Sequence, residues 1–182
     1  MLNAANLARG LGVAGKTVAG YLDLVVDLLL VRRLPAWSSN AGKRLVRSPK
    51  VYVRDSGIAH ALLGIRDKEA LLSHPIAGQT WESFVIETLI GAAPEGTDAN
   101  YYRTSNGTEL DLVLTLPAGK LWAIEVKRSS APRVERGFHS ACADLDPEKR
   151  FVAYPGTERF PLDDSTEAIG VVELAKALQS IR

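Results

Sequence analysis

One cysteine, Cys142, is all that 182 residues contain, so neither an internal disulfide nor a cysteine zinc cage can form within the chain. It falls in a helical stretch, Val134 to Ala143, and reads as core filling. The three histidines, His60, His74 and His139, have no ligand spacing and read as structural groups. No apolar run approaches the ~20 residues of a membrane span, and the N-terminus lacks a charged-then-apolar leader. A cytoplasmic protein with no membrane partner is therefore expected. There is no internal repeat and no low-complexity segment. What remains, 46% hydrophobic and 24% charged, is the composition of a globular chain able to bury one mid-sized core or two small ones. It leaves the oligomeric state open.

The net charge of only +1 hides an uneven distribution. Arg32, Arg33, Lys43, Arg44, Arg47, Lys50 and Arg54 fall between residues 32 and 54 with no acid among them, so that stretch carries +7 and leaves −6 to the rest. Ahead of it, Leu7 and Leu11 anchor a first helix and Gly12-Val13-Ala14-Gly15 turns the chain. Lys16 to Leu29 then forms a second helix with Val18, Tyr21, Leu22, Val25 and Val26 on its inner face. Leu30 to Pro35 and Lys50 to Val53 read as two strands around a polar loop, Ser38 to Gly42. A helix-turn-helix followed by a β-wing is a winged helix, here residues 1–66, with its usual first helix missing or lying before Met1. Winged helices bind DNA or proteins, so the fold alone does not choose. Lys16, Arg32, Arg33, Lys43, Arg44, Arg47 and Lys50 are the candidate phosphate contacts. The competing reading of the same bases is a solvated surface or a dock for an acidic partner.

Gly10, Gly15, Lys16 and Thr17 match the P-loop spacing, whose backbone amides would cradle phosphates. A P-loop follows a buried strand, however, and Leu2 to Arg9 is Ala-rich with apolar residues at helical spacing. No bound nucleotide is expected.

The most informative stretch is Glu109-Leu110-Asp111-Leu112-Val113, a break at Pro117 to Lys120, and then Ile124-Glu125-Val126-Lys127. Side chains alternate along a strand, so Glu109 and Asp111 share one face while Leu110, Leu112 and Leu114 take the other. In the next strand Glu125 and Lys127 oppose Trp122, Ile124 and Val126. A loop with an odd number of residues, Pro117 to Gly119 or Pro117 to Leu121, sets Asp111 opposite Glu125 or Lys127. Opposed side chains have Cβ atoms about 5 Å apart, so two carboxylates there repel unless a cation or proton intervenes. A hard cation such as Mg²⁺ is one remedy, and a lysine beside it orients a water or offsets charge on a phosphate. The bland reading is the solvated face of an antiparallel hairpin. Upstream, helical spacing over Gly78 to Ile90 puts Trp81, Val85, Ile86, Leu89 and Ile90 on one broad apolar face. Glu82 falls within that face, and Glu87 points away as a solvated side chain. An acid on an apolar face needs a partner or a metal.

The resulting order is a helix (78–92), strands (100–105, 107–116, 121–129), a helix (133–145) and a strand (149–154), an α-β-β-β-α-β unit. Asp67 to Pro75 reads as a linker, and Val171 to Ile181 as a last strand running into a short helix. On these residues the chain resembles the restriction-endonuclease-like superfamily, the PD-(D/E)xK nucleases and Holliday-junction resolvases, over roughly residues 76–182. The resemblance implies an α/β (α+β) domain with a mixed central sheet. It also implies one or two Mg²⁺ or Mn²⁺ ions held by Glu82, Asp111 and Glu125, and Lys127 assisting the attacking water. The chain departs from the signature at Leu110, where the family pattern has Pro.

A second resemblance covers nearly all of the chain. Thr17 to Leu22, Val51 to Gly57, Trp81 to Val85, Tyr102 to Thr104 and Ile124 to Lys127 look like the uncharacterised domain that follows the AAA-type ATPase core in many prokaryotic ATP-binding proteins. It implies an ATPase partner upstream or in trans, since no ATPase core is present here. Three functions follow as expectations. One is a nucleic-acid-associated protein with a Mg²⁺-dependent phosphodiesterase (nuclease-like) site. Another is a non-catalytic regulatory, interaction or oligomerisation tail whose acids are a relic or an ionic lock. The third is a DNA-binding module alone.

Overall fold

The structure, a computed structural model, describes residues 4–38 and 45–181. Its elements are α1 (Ala4–Leu11), α2 (Gly15–Asp27), β1 (Val31–Leu34), β2 (Lys50–Val53), α3 (Ser56–Leu62), α4 (Lys68–Ser73) and α5 (Ala77–Ala92). They continue with β3 (Asp98–Arg103), β4 (Glu109–Thr115), β5 (Leu121–Val126), α6 (Arg136–Leu145), β6 (Lys149–Tyr154), β7 (Arg159–Pro161), β8 (Glu167–Gly170) and α7 (Val171–Gln179). The architecture is mixed α+β. Six strands form one sheet in the order β3-β4-β5-β6-β8-β7, and β1 and β2 form a separate antiparallel pair. The large sheet is mixed: β3-β4, β4-β5 and β7-β8 are antiparallel, whereas β5-β6 and β6-β8 are parallel.

Strand β4 lies inside the sheet, next to the edge strand β3, and is apolar enough to be buried on both faces, with Leu110, Leu112, Val113 and Leu114 all fully enclosed. On one side Leu112 and Leu114 pack with Val85, Ile86 and Leu89 of α5 and Leu174 and Leu178 of α7. On the other, Leu110 and Val113 pack with Phe138, Ala141 and Cys142 of α6. Leu110 thus lies on the face opposite Leu112, against the strict alternation expected. The reason is a register shift: β3 pairs with β4 as Asn100↔Val113 and then Tyr102↔Leu110, so one residue of β3, Tyr101, faces two of β4. Such a bulge re-aims side chains, and the residues it displaces are Asp111 and Leu112.

The β1-β2 pair is knitted to this sheet. Leu34 is 1% exposed and belongs to the core shared by α5 and α7. Beyond it the chain runs beside β3: Trp37 N–H donates to Tyr101 O (2.7 Å), Tyr101 N–H to Pro35 O (3.0 Å) and Val46 N–H to Arg103 O (2.9 Å). The otherwise open edge of β3 is covered in this way.

Several elements differ from the sequence-based expectation. The linker segment carries α4, whose first turn is capped by the Asp67 carboxylate accepting from Ala70 N–H (2.8 Å). Helix α3 is capped likewise by Asp55. The last strand is β8, ahead of residue 171, and Val171 already begins α7. A Cβ on Gly170 would lie 2.3 Å from the Gly156 carbonyl oxygen, so glycine is required at this strand-to-helix junction. Tyr21, expected on the inner face of α2, is 56% exposed, and Val18 is the buried residue of that helix. Gly10 lies inside α1 and Gly15 opens α2, so the P-loop spacing spans two helices. Among the described residues, no helix is long and apolar enough to cross a membrane.

Because Leu34 fills the common core, Leu34→Ala should cost about 2–5 kcal/mol in urea unfolding with a single transition. A cost below about 1 kcal/mol, or a separate early transition of the N-terminal elements, would show that the β1-β2 pair is not part of that core.

Candidate functional site

Strand β2 has a simple pleat: Lys50 and Tyr52 share one face and Val51 and Val53 the other. The first face lies against α5 and the start of β4. Lys50 is 9% exposed, and its ammonium sits 3.0 Å from Glu82 Oε1, 2.7 Å from Glu109 Oε1 and 3.3 Å from Asp111 Oδ1. Its Nζ also lies 5.5 Å from the centre of the Tyr101 ring, within cation–π range. Tyr52 donates its hydroxyl to Glu82 Oε1 (2.5 Å), and Arg103 Nη1 donates to Glu109 Oε2 (2.9 Å). One buried ammonium therefore bridges three carboxylates from two elements. Burial alone would lower the Lys50 pKa, but the charges of Asp111 and Glu82 outweigh it and hold the ammonium well above the usual lysine range. The Tyr52 phenol is also pushed far up, first by burial and then by Glu82.

The hairpin register, Leu112↔Ile124 through Thr115↔Leu121, leaves five residues in the turn and ends at the bulge, one step short of Asp111 and Glu125. Asp111 accepts from Val126 N–H through Oδ2 (3.0 Å) while its other oxygen meets Lys50. Glu125 instead pairs with Lys127 (3.0 Å), which also donates to Glu135 (2.8 Å) just ahead of α6. Burial pushes the Asp111 carboxyl up to about 6, with the Glu82 charge adding to it. Burial and the Asp111 charge push Glu125 up to about 7. Lys127 is raised too, because Glu135 and Glu125 together overcome the opposing effect of burial.

The four residues singled out from sequence thus lie close together but in two ion-paired groups. Glu82 and Asp111 share Lys50, and Glu125 holds Lys127. Among the described residues, no three of His, Cys, Asp or Glu are arranged as a group that could hold a metal ion. The acids have the right chemistry for Mg²⁺, but the arrangement does not fit the ion while Lys50 stands among them.

Among the described residues, the bases of this stretch do not share one phosphate-facing surface. Lys50, grouped with it from sequence, points into the acid cluster. Arg32 and Arg54 both bind Glu87, at 3.0 Å from Arg32 Nη2 and 2.9 Å from Arg54 Nε, and Arg33 Nη2 binds Asp23 at 2.7 Å. Glu87, read as solvated, is instead the anchor that ties β1 and β2 to α5, helped by Ser83 Oγ donating to Val53 O (2.7 Å). Lys16 and Arg47 are exposed. Lys43 and Arg44 lie outside the described residues. The sequence assigns Lys50 to the basic stretch and does not single out Tyr52, although the strand face these two residues share is the signal that places them together.

Residues 77–174 match a family described as a domain of unknown function (DUF4143), which is found in AAA-ATPase-associated proteins. Residues 1–69 match a second domain of unknown function (DUF8612). Uncharacterised proteins of Mycobacterium bovis and Mycobacterium tuberculosis are each 44% identical over 169 residues, which is 93% of this chain and 38% of theirs. The chain therefore spans about two fifths of the length of these curated relatives. No solved structure matches.

Because Asp111 and Glu125 have raised pKa values, the folded chain holds protons that the unfolded chain has released between about pH 4 and pH 7. The pair's contribution to stability is greatest below that window and falls as pH rises through it. Glu125→Gln should therefore gain stability relative to the parent chain between pH 5 and pH 8 in chemical denaturation. Parallel pH profiles for the two proteins would contradict the raised pair.

Proposed function

The chain belongs to the DUF4143 family, and from that premise we propose that it is the C-terminal part of an AAA-ATPase-like protein, acting there as a non-catalytic regulatory or interaction module. The observation that carries this reading is the position of the Lys50 ammonium, 2.7–3.3 Å from Glu82, Glu109 and Asp111. A tethered cation fills the place that a divalent ion would need, so the acid cluster acts as an ionic lock that fixes β2 against α5 and β4. Removing one partner of a buried pair costs about 3–5 kcal/mol, which gives such a lock the strength to hold two segments in register. Glu87 reinforces it through Arg32 and Arg54.

The finer reading of the fold belongs to the same proposal. Two helices joined by a short turn and followed by an antiparallel strand pair support a winged-helix-like N-terminal part. The order α5-β3-β4-β5-α6-β6, with an antiparallel β4-β5 hairpin and a parallel β5-β6 pair, supports a restriction-endonuclease-like scaffold. On this reading the scaffold is retained and the reaction is not, and the setting is cytoplasmic.

The second reading, a Mg²⁺- or Mn²⁺-dependent phosphodiesterase using Glu82, Asp111, Glu125 and Lys127, is favoured by one observation. The charge of Asp111 on β4 reaches Glu125 on the neighbouring β5, and both carboxyls are raised. It requires Lys50 to leave the acids. The third, DNA binding by the basic stretch, is disfavoured because Arg32, Arg33 and Lys50 are already paired with acids of this chain.

Titration calorimetry with Mg²⁺ and Mn²⁺ separates the first two readings. The lock predicts no binding at millimolar metal and no cleavage of single-stranded, duplex or branched DNA. Stoichiometric binding by the wild-type chain, or cleavage that Asp111→Asn abolishes, would replace the lock with the nuclease.

A further inference from the structure

The N-terminal third of the chain is poorly covered by its own residues. Helix α2 buries only Val18, and α3 and α4 bury no residue at all. Among the described residues, eleven of the fourteen large hydrophobic side chains that stand exposed lie between Leu7 and Leu63, the others being Leu72, Phe84 and Val172. Scattered exposed leucines need no explanation, but a concentration of this kind marks an interaction surface.

Six of these eleven, Leu29, Leu30, Val53, Ile58, Leu62 and Leu63, line two hollows beside α3. On one side of that helix a hollow of about 340 Å³ is lined by Leu29, Leu30 and Ile58 together with Arg54, Asp55 and Glu87. On the other side a second hollow of about 340 Å³ is bounded by Val51, Val53, Ala59, Leu62, Leu63 and Ile76, among others. Leu62 is 81% and Leu63 50% exposed. Leu29 adds a separate sign: it is 68% exposed and held at φ +59°, a left-handed conformation that costs a leucine free energy and that glycine would adopt freely. A strained leucine displayed to solvent at the end of α2 is not there to stabilise this chain.

We infer that the apolar strip formed by α3 and its two flanking hollows is the surface on which the AAA-ATPase module of the longer protein docks, through apolar side chains that enter both hollows. This deepens the tail reading above and rests on it. The choice of occupant follows from the relatives, of whose length this chain spans only 38%. Those proteins carry more than half their residues outside the matched region, enough to cover α3. The strip also adjoins the lock: β2 lines the second hollow with Val51, Tyr52 and Val53, and the same Tyr52 donates its hydroxyl to Glu82 beside Lys50 in the acid cluster. Docking at α3 therefore bears on the strand that holds the lock, and gives an ATPase a direct mechanical route to it.

The test mixes the full chain with the part of the M. tuberculosis relative that lies outside the matched region, and follows binding by calorimetry and light scattering. A one-to-one complex is expected, weakened at least tenfold by Leu62→Glu and by Ile58→Glu but unchanged by Val172→Glu, an exposed position on α7. All three positions are exposed, and circular dichroism of each variant confirms that it remains folded. Binding lost only in Val172→Glu would overturn the surface and leave the tail reading standing. No binding at all would overturn both the surface and its partner. A homodimer of this chain dissolved by Leu62→Glu would replace the ATPase module with a second copy.

Discussion

The ammonium of Lys50 holds together carboxylates that would otherwise repel. Glu82 comes from α5, and Glu109 and Asp111 come from β4. Three acids at this depth require a cation, because isolated buried carboxylates are expensive and adjacent ones more so. The chain supplies that cation from β2, more than thirty residues away from the nearest of the acids. Everything else near the cluster follows from this one placement. Tyr52 must face inward with Lys50, and so finds Glu82. The β1-β2 pair must lie against α5, so Arg32 and Arg54 reach Glu87, and the adjoining chain falls along the open edge of β3.

The bulge in β4 is the second constraint. It places Leu110 with the α6 layer and Leu112 with the α5 layer, while Asp111 reaches Lys50 and Glu82. Without it Leu110 and Leu112 would share a face. Glu125, on regularly paired β5, finds Lys127 and Glu135 instead. Two ion-paired groups, each with more acids than bases, result where a single metal-binding cluster was expected, and the charge of Asp111 still reaches Glu125 and raises its affinity for protons.

Much of this was legible in the sequence. Alternation located the β4-β5 hairpin, expected over 107–116 and 121–129 and found as Glu109–Thr115 and Leu121–Val126, but it put Leu110 on the wrong face; helical spacing located α5 with Glu82 on its apolar side. The mixed α+β class follows from the same patterns. Short elements were not legible: α3, α4, β7 and β8 have three to seven residues each, too few for a period to show. Lys50 was misplaced because bases were grouped by position along the chain, whereas the pleat of Lys50-Val51-Tyr52-Val53 separates Lys50 from the surface. Glu87 was misplaced for a related reason. The helical wheel sees which side faces the core, but not that a separate strand pair supplies two arginines to the other side.

The central claim is that Lys50 is energetically coupled to the acids around it. A double-mutant cycle measures this directly, using the unfolding free energies of the parent, Lys50→Met, Glu82→Gln and the doubly substituted chain. The lock predicts that each single substitution is costly and that the two are non-additive by about 1–3 kcal/mol, the double variant recovering part of the loss. Additive losses would mean that Lys50 and Glu82 merely lie near each other, and that something else holds the N-terminal elements in place.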